Sequence, residues 1–241
     1  MEKIVSLQNA KVKKWTSLHH KKDRDQLHLF LAEGEHLIGE ALSAGCAEEI
    51  ITDTVSPYDS VPVYEVTPAI MKKISANVSP VHLIAVCRQK EAAPDELKRV
   101  ILLDDVQDPG NLGTLVRTAV SFSYDAVCCS LDTCDLYNEK AVRSTQGALF
   151  HIPVIRGNLK DIILQLQKDD FQVIATSLEK SHTMAEIPTV NKMAFIFGNE
   201  GQGVHPQIQA MADDRLRIDM HGFESLNVAV AGGIVMHNYR G

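Results

Sequence analysis

The sequence predicts an α/β protein whose larger part is built on a parallel β-sheet. Strand-like apolar runs alternate with amphipathic helical patterns along most of the 241 residues, the order expected when helices cover both faces of such a sheet. The run VILLDDV at 100–106 is almost continuously apolar, as in a strand buried on both faces. A charged, proline-containing stretch at 88–98 interrupts the alternation and predicts a linker between two domains.

The amino-terminal domain, predicted over residues 1–90, is a small α/β unit. Its strand-like segments are LHLFLAEG, EEIITD, VPVYEV and VHLIAVC. Two amphipathic helical segments, GEHLIGEALSAG and TPAIMKKISANV, lie between these strands. The first helix is ended by Gly45, and the second begins at Thr67, directly before Pro68.

The second domain, predicted over residues 97–241, contains the longer alternation. After VILLDDV, further strands are predicted at DAVCCS, FQVIATS, MAFIFG and RLRID. The helical patterns that separate them lie at 111–122, 138–147, 158–168 and from about 225 to the end. We therefore expect a three-layer domain with the parallel sheet in the middle.

Composition excludes several classes of protein. With 45% hydrophobic and 23% charged residues, the chain is not collagen-like, coiled-coil or largely disordered. No apolar stretch approaches the roughly 20 residues that cross a bilayer. The amino terminus also has no secretory apolar run, so we expect a cytoplasmic protein without membrane contact. The five cysteines form no Cys-x-x-Cys pair, and we predict buried thiols and no metal site.

Charge is unevenly distributed along the chain. The net charge of -7 argues against a protein that coats nucleic acid through bulk positive charge. The first 30 residues nevertheless hold seven Lys or Arg against three Asp or Glu, and Trp15 lies among them. This basic segment is either a footprint for a phosphate backbone or a solvated helix face. Its six candidate RNA-binding residues are Lys11, Lys13, Lys14, Lys21, Lys22 and Arg24.

Three segments that follow predicted strands are rich in glycine, asparagine and other polar residues, and ligands of open parallel sheets bind beyond the strands' carboxyl ends. The first segment is DDVQDPGNLGTLVRTA. Asn111 can cap a helix whose apolar residues form one stripe, while Thr114 and Arg117 fall near Asn111 on the other side. This polar stripe is either part of a site or the solvated face of the helix.

The second segment, FGNEGQGV, contains Gly198, Gly201 and Gly203, which permit a sharp turn and a close approach to a ligand. It lacks the third glycine of a dinucleotide fingerprint and the Gly-Lys-Ser/Thr of a phosphate loop. The charge of Glu200 disfavours a phosphate. The segment therefore suits a nucleoside or a cationic group, and an ordinary tight turn is the alternative.

The third segment runs from Ile218 to the carboxyl terminus and contains ESLNVAVAGG. Its small residues, at 229 and 231–233, predict close packing of a helix against another backbone. Ser225 and Asn227 are the polar groups at the entrance of this helix, and helix capping would account for both. The sequence contains no nucleophile elbow, H-E-x-x-H motif or kinase motif set.

In this order, LDDVQDPGNLGTLVRTA, FIFGNEGQGV and ESLNVAVAGG resemble the three motifs of the SpoU (TrmH) family of RNA ribose 2'-O-methyltransferases, within the SPOUT superfamily. NEKAVRSTQGALFHIPV resembles the family segment between them, and the amino-terminal unit is similar to a ribosomal-protein-like substrate-binding domain. The resemblance implies a parallel sheet with a carboxyl-terminal trefoil knot, a homodimer and S-adenosylmethionine as cofactor. The knot could not have been predicted from periodicity.

The resemblance also implies roles for individual residues. The catalytic set comprises Asn111, Arg117, Glu200, Ser225 and Asn227. The cofactor-binding set comprises Thr176, Ser177, Leu178, Gly198, Asn199, Gly203, Ile218 and Leu226. Because a guanidinium stays protonated, we expect Arg117 to clamp a phosphate and stabilise the developing alkoxide, while Glu200 or a substrate phosphate takes the proton. Asp219 replaces the usual proline of the family and is expected to put a carboxylate near the cofactor.

The leading hypothesis is an S-adenosylmethionine-dependent methyltransferase that acts on a ribose 2'-hydroxyl of rRNA or tRNA. One alternative is a non-catalytic RNA-binding protein of the same fold that acts in ribosome assembly. Another is a methyltransferase with a small-molecule or protein substrate.

Overall fold

The computed structural model describes residues 2–90, 96–220, 222 and 225–240, so the central part of the predicted linker lies outside the described residues. The chain forms two compact units. The first comprises Met1–Glu91 and Asp135–His151, and the second comprises Ala92–Cys134 and Ile152–Gly241. Segment 135–151, predicted as part of the second domain, therefore packs with the first. No helix of the described residues is long and apolar enough to cross a membrane.

The strands form two separate sheets. In chain order the strands are β1 Glu2–Ile4, β2 Leu29–Glu33, β3 Ala47–Thr52, β4 Val63–Val66, β5 Leu83–Arg88, β6 Arg99–Leu103, β7 Ala126–Cys129, β8 Val154–Arg156, β9 Gln172–Thr176, β10 His182–Thr183, β11 Met193–Phe197 and β12 Asp214–Arg217. The first sheet has the order β1-β4-β3-β5-β2 and is mixed, since β5 pairs antiparallel with β2 and β3. The second has the order β10-β12-β9-β11-β6-β7-β8.

Six of the helices in the described residues lie close to predicted positions, whereas α1, α2 and α8 were not predicted as elements. They are α1 Ala10–Ser17, α2 Lys21–Leu27, α3 Glu35–Ser43, α4 Pro68–Ile74, α5 Pro109–Ser121, α6 Glu139–Thr145, α7 Leu159–Lys168, α8 Pro206–Gln209 and α9 Val228–Asn238. Thr67 caps α4 by accepting a hydrogen bond from the Ile70 N–H, as the sequence predicts. The cap of α5 differs, because Asp108 accepts the hydrogen bond from the Asn111 N–H and so leaves the Asn111 side chain available.

Both faces of the first sheet are covered by apolar side chains. Helices α1 and α4 supply Val12, Trp15 and Ile70 to one face, while α3 and α6 supply Ile38 and Val142 to the other. Trp15 is fully buried, and its Nε1 donates to a Glu49 carboxylate oxygen at 2.7 Å. Trp15 is therefore a core residue and does not belong to the exposed surface of the basic segment.

Segment 135–151 is joined to the first unit by charged groups as well as by apolar packing. The guanidinium of Arg24 is buried and donates to the Asp135 carboxylate at 2.6 Å and to the Leu18 carbonyl at 2.7 Å. His19 Nδ1 lies 2.6 Å from the Glu139 carboxylate, and this hydrogen bond raises the pKa of the imidazole. Arg24 thus has an internal partner that the local sequence does not reveal, and its burial leaves the guanidinium little surface to offer to RNA.

The second sheet is parallel throughout its seven strands, as predicted. Its central strands β6 and β11 are buried at every residue. Cys128 and Cys129 of β7 are buried free thiols, and burial raises the pKa of each to about 12. Because all seven strands run in one direction, their carboxyl ends meet at a single edge of the sheet.

Helix α9 closes this unit by packing along α5. A Cβ on Gly232 would lie 2.3 Å from Leu115 Cδ2, which explains the small residues of this helix. At the other end of α9, the buried Arg99 guanidinium donates to the Tyr239 carbonyl at 2.9 Å. Arg99 begins β6, so α9 runs from the carboxyl edge of the sheet back to the opposite edge.

Replacing Arg24 with alanine should lower the free energy of unfolding by about 3 kcal/mol, because the Asp135 carboxylate would lose its buried partner. Lys22→Ala is the control, since Lys22 is an exposed cation of the same helix, and it should change stability by less than about 0.5 kcal/mol. Urea unfolding measures both variants. Equal, small effects would contradict a structural role for Arg24.

Candidate active site

The loops at the carboxyl edge of the second sheet enclose a cavity of about 580 Å³. It lies among the segments that follow β9, β11 and β12 and the entrance of α9. All eight residues predicted to bind the cofactor line it, namely Thr176, Ser177, Leu178, Gly198, Asn199, Gly203, Ile218 and Leu226. The residues that the resemblance implied for the cofactor therefore share one surface, although they come from three distant segments.

A closed glycine loop forms one wall of the cavity. Asn199 and Gly203 exchange two backbone hydrogen bonds of 3.0 and 2.9 Å, which brings the ends of the loop together. Gly203 has a φ of +71°, in the region that favours glycine. A Cβ on Gly198 would lie 2.0 Å from the Gly203 carbonyl carbon, so no side chain fits at this position.

Two aspartates at the end of β6 hold this loop against the sheet, and sequence analysis assigned them no role. Asn199 Nδ2 donates to the Asp105 carbonyl at 3.0 Å, and the His205 N–H donates to the Asp104 carboxylate at 2.8 Å. Burial raises the pKa of Asp104 despite the hydrogen bond from His205. Their place directly after the central strand, beside a glycine loop, is the signal that could have identified them.

A chain of hydrogen bonds joins Glu200, Asn111 and Asn227. Asn111 Nδ2 donates to Glu200 Oε1 at 2.9 Å, and Asn227 Nδ2 donates to Asn111 Oδ1 at 3.0 Å. Asn227 Oδ1 in turn accepts from the Ala229 N–H at 2.9 Å and so caps α9. We call these three side chains the polar relay. It fixes both ends of the Asn111 amide while leaving one Nδ2 hydrogen and one Oδ1 lone pair for a ligand.

The carboxylate of Glu200 is an acceptor for three donors. Besides Asn111, the backbone N–H groups of Gln107 and Asp108 donate to it at 3.1 and 3.0 Å. Burial alone would raise the pKa of this carboxyl group, but the hydrogen bonds from Asn111, Asp108 and Gln107 together hold it below its usual value. Glu200 is therefore an ionised anchor, and this environment disfavours it as a proton acceptor.

The other two residues of the predicted catalytic set lie outside the polar relay. Arg117 is exposed on α5, roughly 9 Å along the helix axis from Asn111. Among the described residues its guanidinium has no hydrogen bond or ion pair, so it is available to a ligand. Ser225 is exposed and lines the cavity.

The carboxylate of Asp219 takes part in an ion pair rather than in the cavity wall. Arg217 Nε lies 3.4 Å from its Oδ1. Arg217, Ile218 and Met220 line the cavity, whereas Asp219 does not. The expected change in the charge of the cleft is therefore offset by the neighbouring arginine.

The predicted RNA-binding lysines differ in how free they are. Lys11 Nζ lies 3.1 Å from a Glu49 oxygen and 4.1 Å from the centre of the Tyr64 ring. Lys21 forms an ion pair of 2.5 Å with Asp25. Lys13 and Lys22 are exposed and Lys14 is half-buried, and these three ammonium groups have no partner among the described residues.

Within the described residues no group of side chains could hold a metal ion.

Comparison with known proteins agrees with this arrangement. Residues 98–237 match the SpoU rRNA Methylase family. The chain belongs to this family. Residues 9–85 of this SpoU family member match an MRM3-like substrate binding domain.

The SpoU family relatives include proteins of the same length and fold. The chain is 40% identical to the 23S rRNA (guanosine(2553)-2'-O)-methyltransferase RlmP of Bacillus subtilis, over 100% of both chains. It superposes on an rRNA methyltransferase from Sinorhizobium meliloti with a TM-score of 0.89 and 30% identity, covering 99% of this chain and 96% of that one. The AdoMet-bound form of an rRNA methyltransferase from that organism gives a TM-score of 0.88 at 30% identity, covering 99% and 97% of the two chains.

The cavity residues fit S-adenosylmethionine, the cofactor named in that bound form. A volume of about 580 Å³ lies within the range of small-molecule sites. Leu178 and Leu226 offer apolar contacts to a nucleoside, and Gly198 permits close approach of the backbone. The ionised Glu200, which also lines the cavity, complements the positive charge of a sulfonium.

Gly198→Ala should lower the affinity for S-adenosylmethionine by at least about tenfold, because the new Cβ would collide with the Gly203 backbone and open the loop. Gly201→Ala is the matched control, since a Cβ there would meet only Asn199 Oδ1 at 3.7 Å. Isothermal titration measures binding, and thermal unfolding confirms that each variant is folded. Similar affinities in the two variants would contradict the close approach inferred at Gly198.

Proposed function

We propose that this SpoU family member transfers a methyl group from S-adenosylmethionine to a ribose 2'-hydroxyl of 23S rRNA. The polar relay carries the proposal, because it places an oriented amide next to a cavity suited to the cofactor. The likeness to RlmP over the whole chain supports both the reaction and the class of RNA. Mapping of ribose methylation in total RNA, with and without the protein, would identify the methylated nucleotide.

The relay's contribution is positioning. The bound cofactor supplies an electrophilic methyl group on a sulfonium, and displacement from it requires the ribose oxygen to approach in line. The free Nδ2 hydrogen and Oδ1 lone pair of Asn111 can hold the ribose hydroxyl in one orientation. Since Glu200 and Asn227 already fix the amide, little reorganisation is needed when RNA binds. Ser225, on the cavity wall, is proposed to contact the same ribose or the cofactor.

Arg117 is proposed to bind the phosphate next to the target ribose and to stabilise negative charge on the 2'-oxygen. An exposed guanidinium without a partner in the described residues retains its five donors for this purpose. Stabilising the negative charge that develops on the 2'-oxygen favours loss of the hydroxyl proton in the transition state. Because Glu200 is held ionised by three donors, we assign the proton to an RNA phosphate oxygen rather than to this carboxylate.

The carboxyl-terminal helix is proposed to join two copies of the chain in a homodimer. Val230 is 52% exposed and Ile234 is 36% exposed on α9. With Phe122, Met184 and Gly233 they line a shallow apolar groove, which a second copy of α9 would cover. This interface is the family expectation, and the exposed apolar face supports it.

A trefoil knot is proposed for the carboxyl-terminal segment. Strand β11 lies between β9 and β6, whereas the next strand, β12, lies on the far side of β9. The chain then returns to pack α9 against α5. Such a path is compatible with threading of the last segment through an earlier loop.

We propose the cytoplasm as the compartment, because ribosomal RNA is found there.

Arg117→Ala should lower kcat for methylation of an rRNA transcript by about 100-fold while leaving the Kd for S-adenosylmethionine within about twofold, since the guanidinium acts on the RNA and the transition state. Lys168→Ala, which removes an exposed cation of the same unit, should retain the wild-type rate. Transfer of tritiated methyl groups measures kcat. A wild-type protein that binds RNA and transfers no methyl group would favour the non-catalytic alternative.

Glu200→Gln should slow methyl transfer without changing the pH dependence of kcat between about pH 6 and 9. The lowered pKa keeps Glu200 ionised throughout this range, and the amide of glutamine cannot accept from all three donors. Asn111→Ala should slow the reaction at least as much, and adding Glu200→Gln to that variant should cause little further loss, because Glu200 acts on the ribose through the Asn111 amide. Loss of an acidic limb from the pH profile of Glu200→Gln would instead identify Glu200 as the proton acceptor.

A further inference from the structure

We infer that substrate RNA binds across the solvent side of α1 and α4, and that Lys72 and Lys73 contact its phosphates together with Lys13 and Lys14. We call this the α1–α4 surface. The inference rests on the proposed function and specifies where the first unit holds the RNA. Lys72 and Lys73 lie about 60 residues after Lys13 and Lys14, so clustering along the sequence gave no reason to join the two pairs.

The two helices form one continuous layer. Helix α1 packs against α4, and both bury apolar side chains on the same face of the first sheet. From α1 these are Val12 and Trp15, and from α4 they are Ile70, Met71 and Ile74. With these residues turned inwards, the exposed positions of both helices lie on one side of the unit.

The solvent side of this layer carries unpaired positive charge. Lys13, Lys72 and Lys73 are exposed and Lys14 is half-buried. None of these four ammonium groups forms a hydrogen bond or ion pair with another described residue. Neither helix contains an aspartate or a glutamate. Four cations thus share a surface without a carboxylate from their own helices to neutralise them.

Carboxylates on the neighbouring elements are occupied by other donors. Glu49 accepts from Trp15 Nε1 at 2.7 Å and from Lys11 Nζ at 3.1 Å. Glu65 pairs with Lys3 at 2.5 Å, and Glu33 accepts from the Ser75 hydroxyl and the Ala76 N–H at 2.8 Å each. Glu49 and Glu65 are therefore each paired with another lysine, and both oxygens of Glu33 already accept hydrogen bonds.

Other helices of the first unit lack this property. Helix α3, on the opposite face of the sheet, carries Glu35 and Glu40 and no Lys or Arg. Helix α2 is basic by composition, but Lys21 is paired with Asp25 and Arg24 is buried on Asp135. Among helices α1 to α4, the unpaired lysines other than Lys22 therefore lie on the α1–α4 surface.

Unpaired surface ammonium groups are suited to a polyanion. Each phosphate neutralised by a lysine releases a condensed counterion, and the affinity then falls with salt by a slope of roughly 0.7–0.9 per contact. Contacts between ammonium groups and phosphates carry no sequence information. The surface therefore positions the RNA, while the second unit contributes the chemistry.

The test compares Lys72→Ala/Lys73→Ala with Lys160→Ala/Lys168→Ala, in which two exposed lysines of α7 are removed from the second unit. Both double variants change the net charge by the same amount. The probe is a 23S rRNA transcript, and its Kd is measured by filter binding from about 50 to 300 mM KCl. Binding of S-adenosylmethionine and thermal unfolding are measured in parallel.

We expect the Lys72→Ala/Lys73→Ala variant to bind the transcript roughly tenfold more weakly at 0.1 M salt and to lose roughly 0.7–0.9 of salt slope per lysine. Its cofactor affinity and unfolding temperature should match the wild type, and the α7 variant should bind RNA as the wild type does. Equal losses in the two double variants, or no loss in either, would overturn the α1–α4 surface. Such an outcome overturns the surface alone when the wild-type protein binds and methylates the transcript. If the wild-type protein neither binds nor methylates it, the proposed function is overturned as well.

Discussion

The ionised carboxylate of Glu200, held by three N–H donors, is the interaction on which the active site depends. Two donors belong to the segment between β6 and α5, and the third is the Asn111 amide on α5 itself. One side chain of the glycine loop therefore fixes both the start of α5 and the orientation of Asn111. Because Asn111 in turn accepts from the Asn227 amide, the same anchor extends to the first turn of α9. Three segments of the chain share one geometry through a single carboxylate.

The parallel sheet makes this arrangement possible, and tight backbone packing keeps it in place. Strands β6, β9, β11 and β12 deliver their following loops to one edge. There, the absence of a side chain at Gly198 lets the glycine loop close on itself. At the opposite edge, Arg99 holds the Tyr239 carbonyl, so α9 is fixed at both ends. The walls of the cavity are loops, and they are tied to the sheet and to each other by hydrogen bonds and close backbone packing, as positioning of reactive groups requires.

Sequence patterns predicted the long buried strands and the parallel second sheet, because these depend on local periodicity. The set of residues that lines the cavity was instead implied by the resemblance to the SpoU family. Strands β1, β8 and β10 are too short, at two or three residues, for any period to be visible. The inclusion of 135–151 in the first unit depends on Arg24 and Asp135, which are 111 residues apart. Asp104 and Asp105 went unassigned since their partners lie on the glycine loop, about 100 residues later.

The number of charged residues in a stretch of sequence does not show which charges are paired in the folded chain. A count along the sequence treats every lysine and arginine of the first 30 residues as equivalent, yet Arg24 and Lys21 are each compensated by an aspartate in the folded chain. What an approaching polyanion experiences is the sum of uncompensated charges on a surface, since each compensated pair contributes only a weak dipole that salt screens. The chain is acidic, with a net charge of -7. The position of a few unpaired cations on adjacent helices therefore has more influence on where RNA is attracted than the total number of basic residues has.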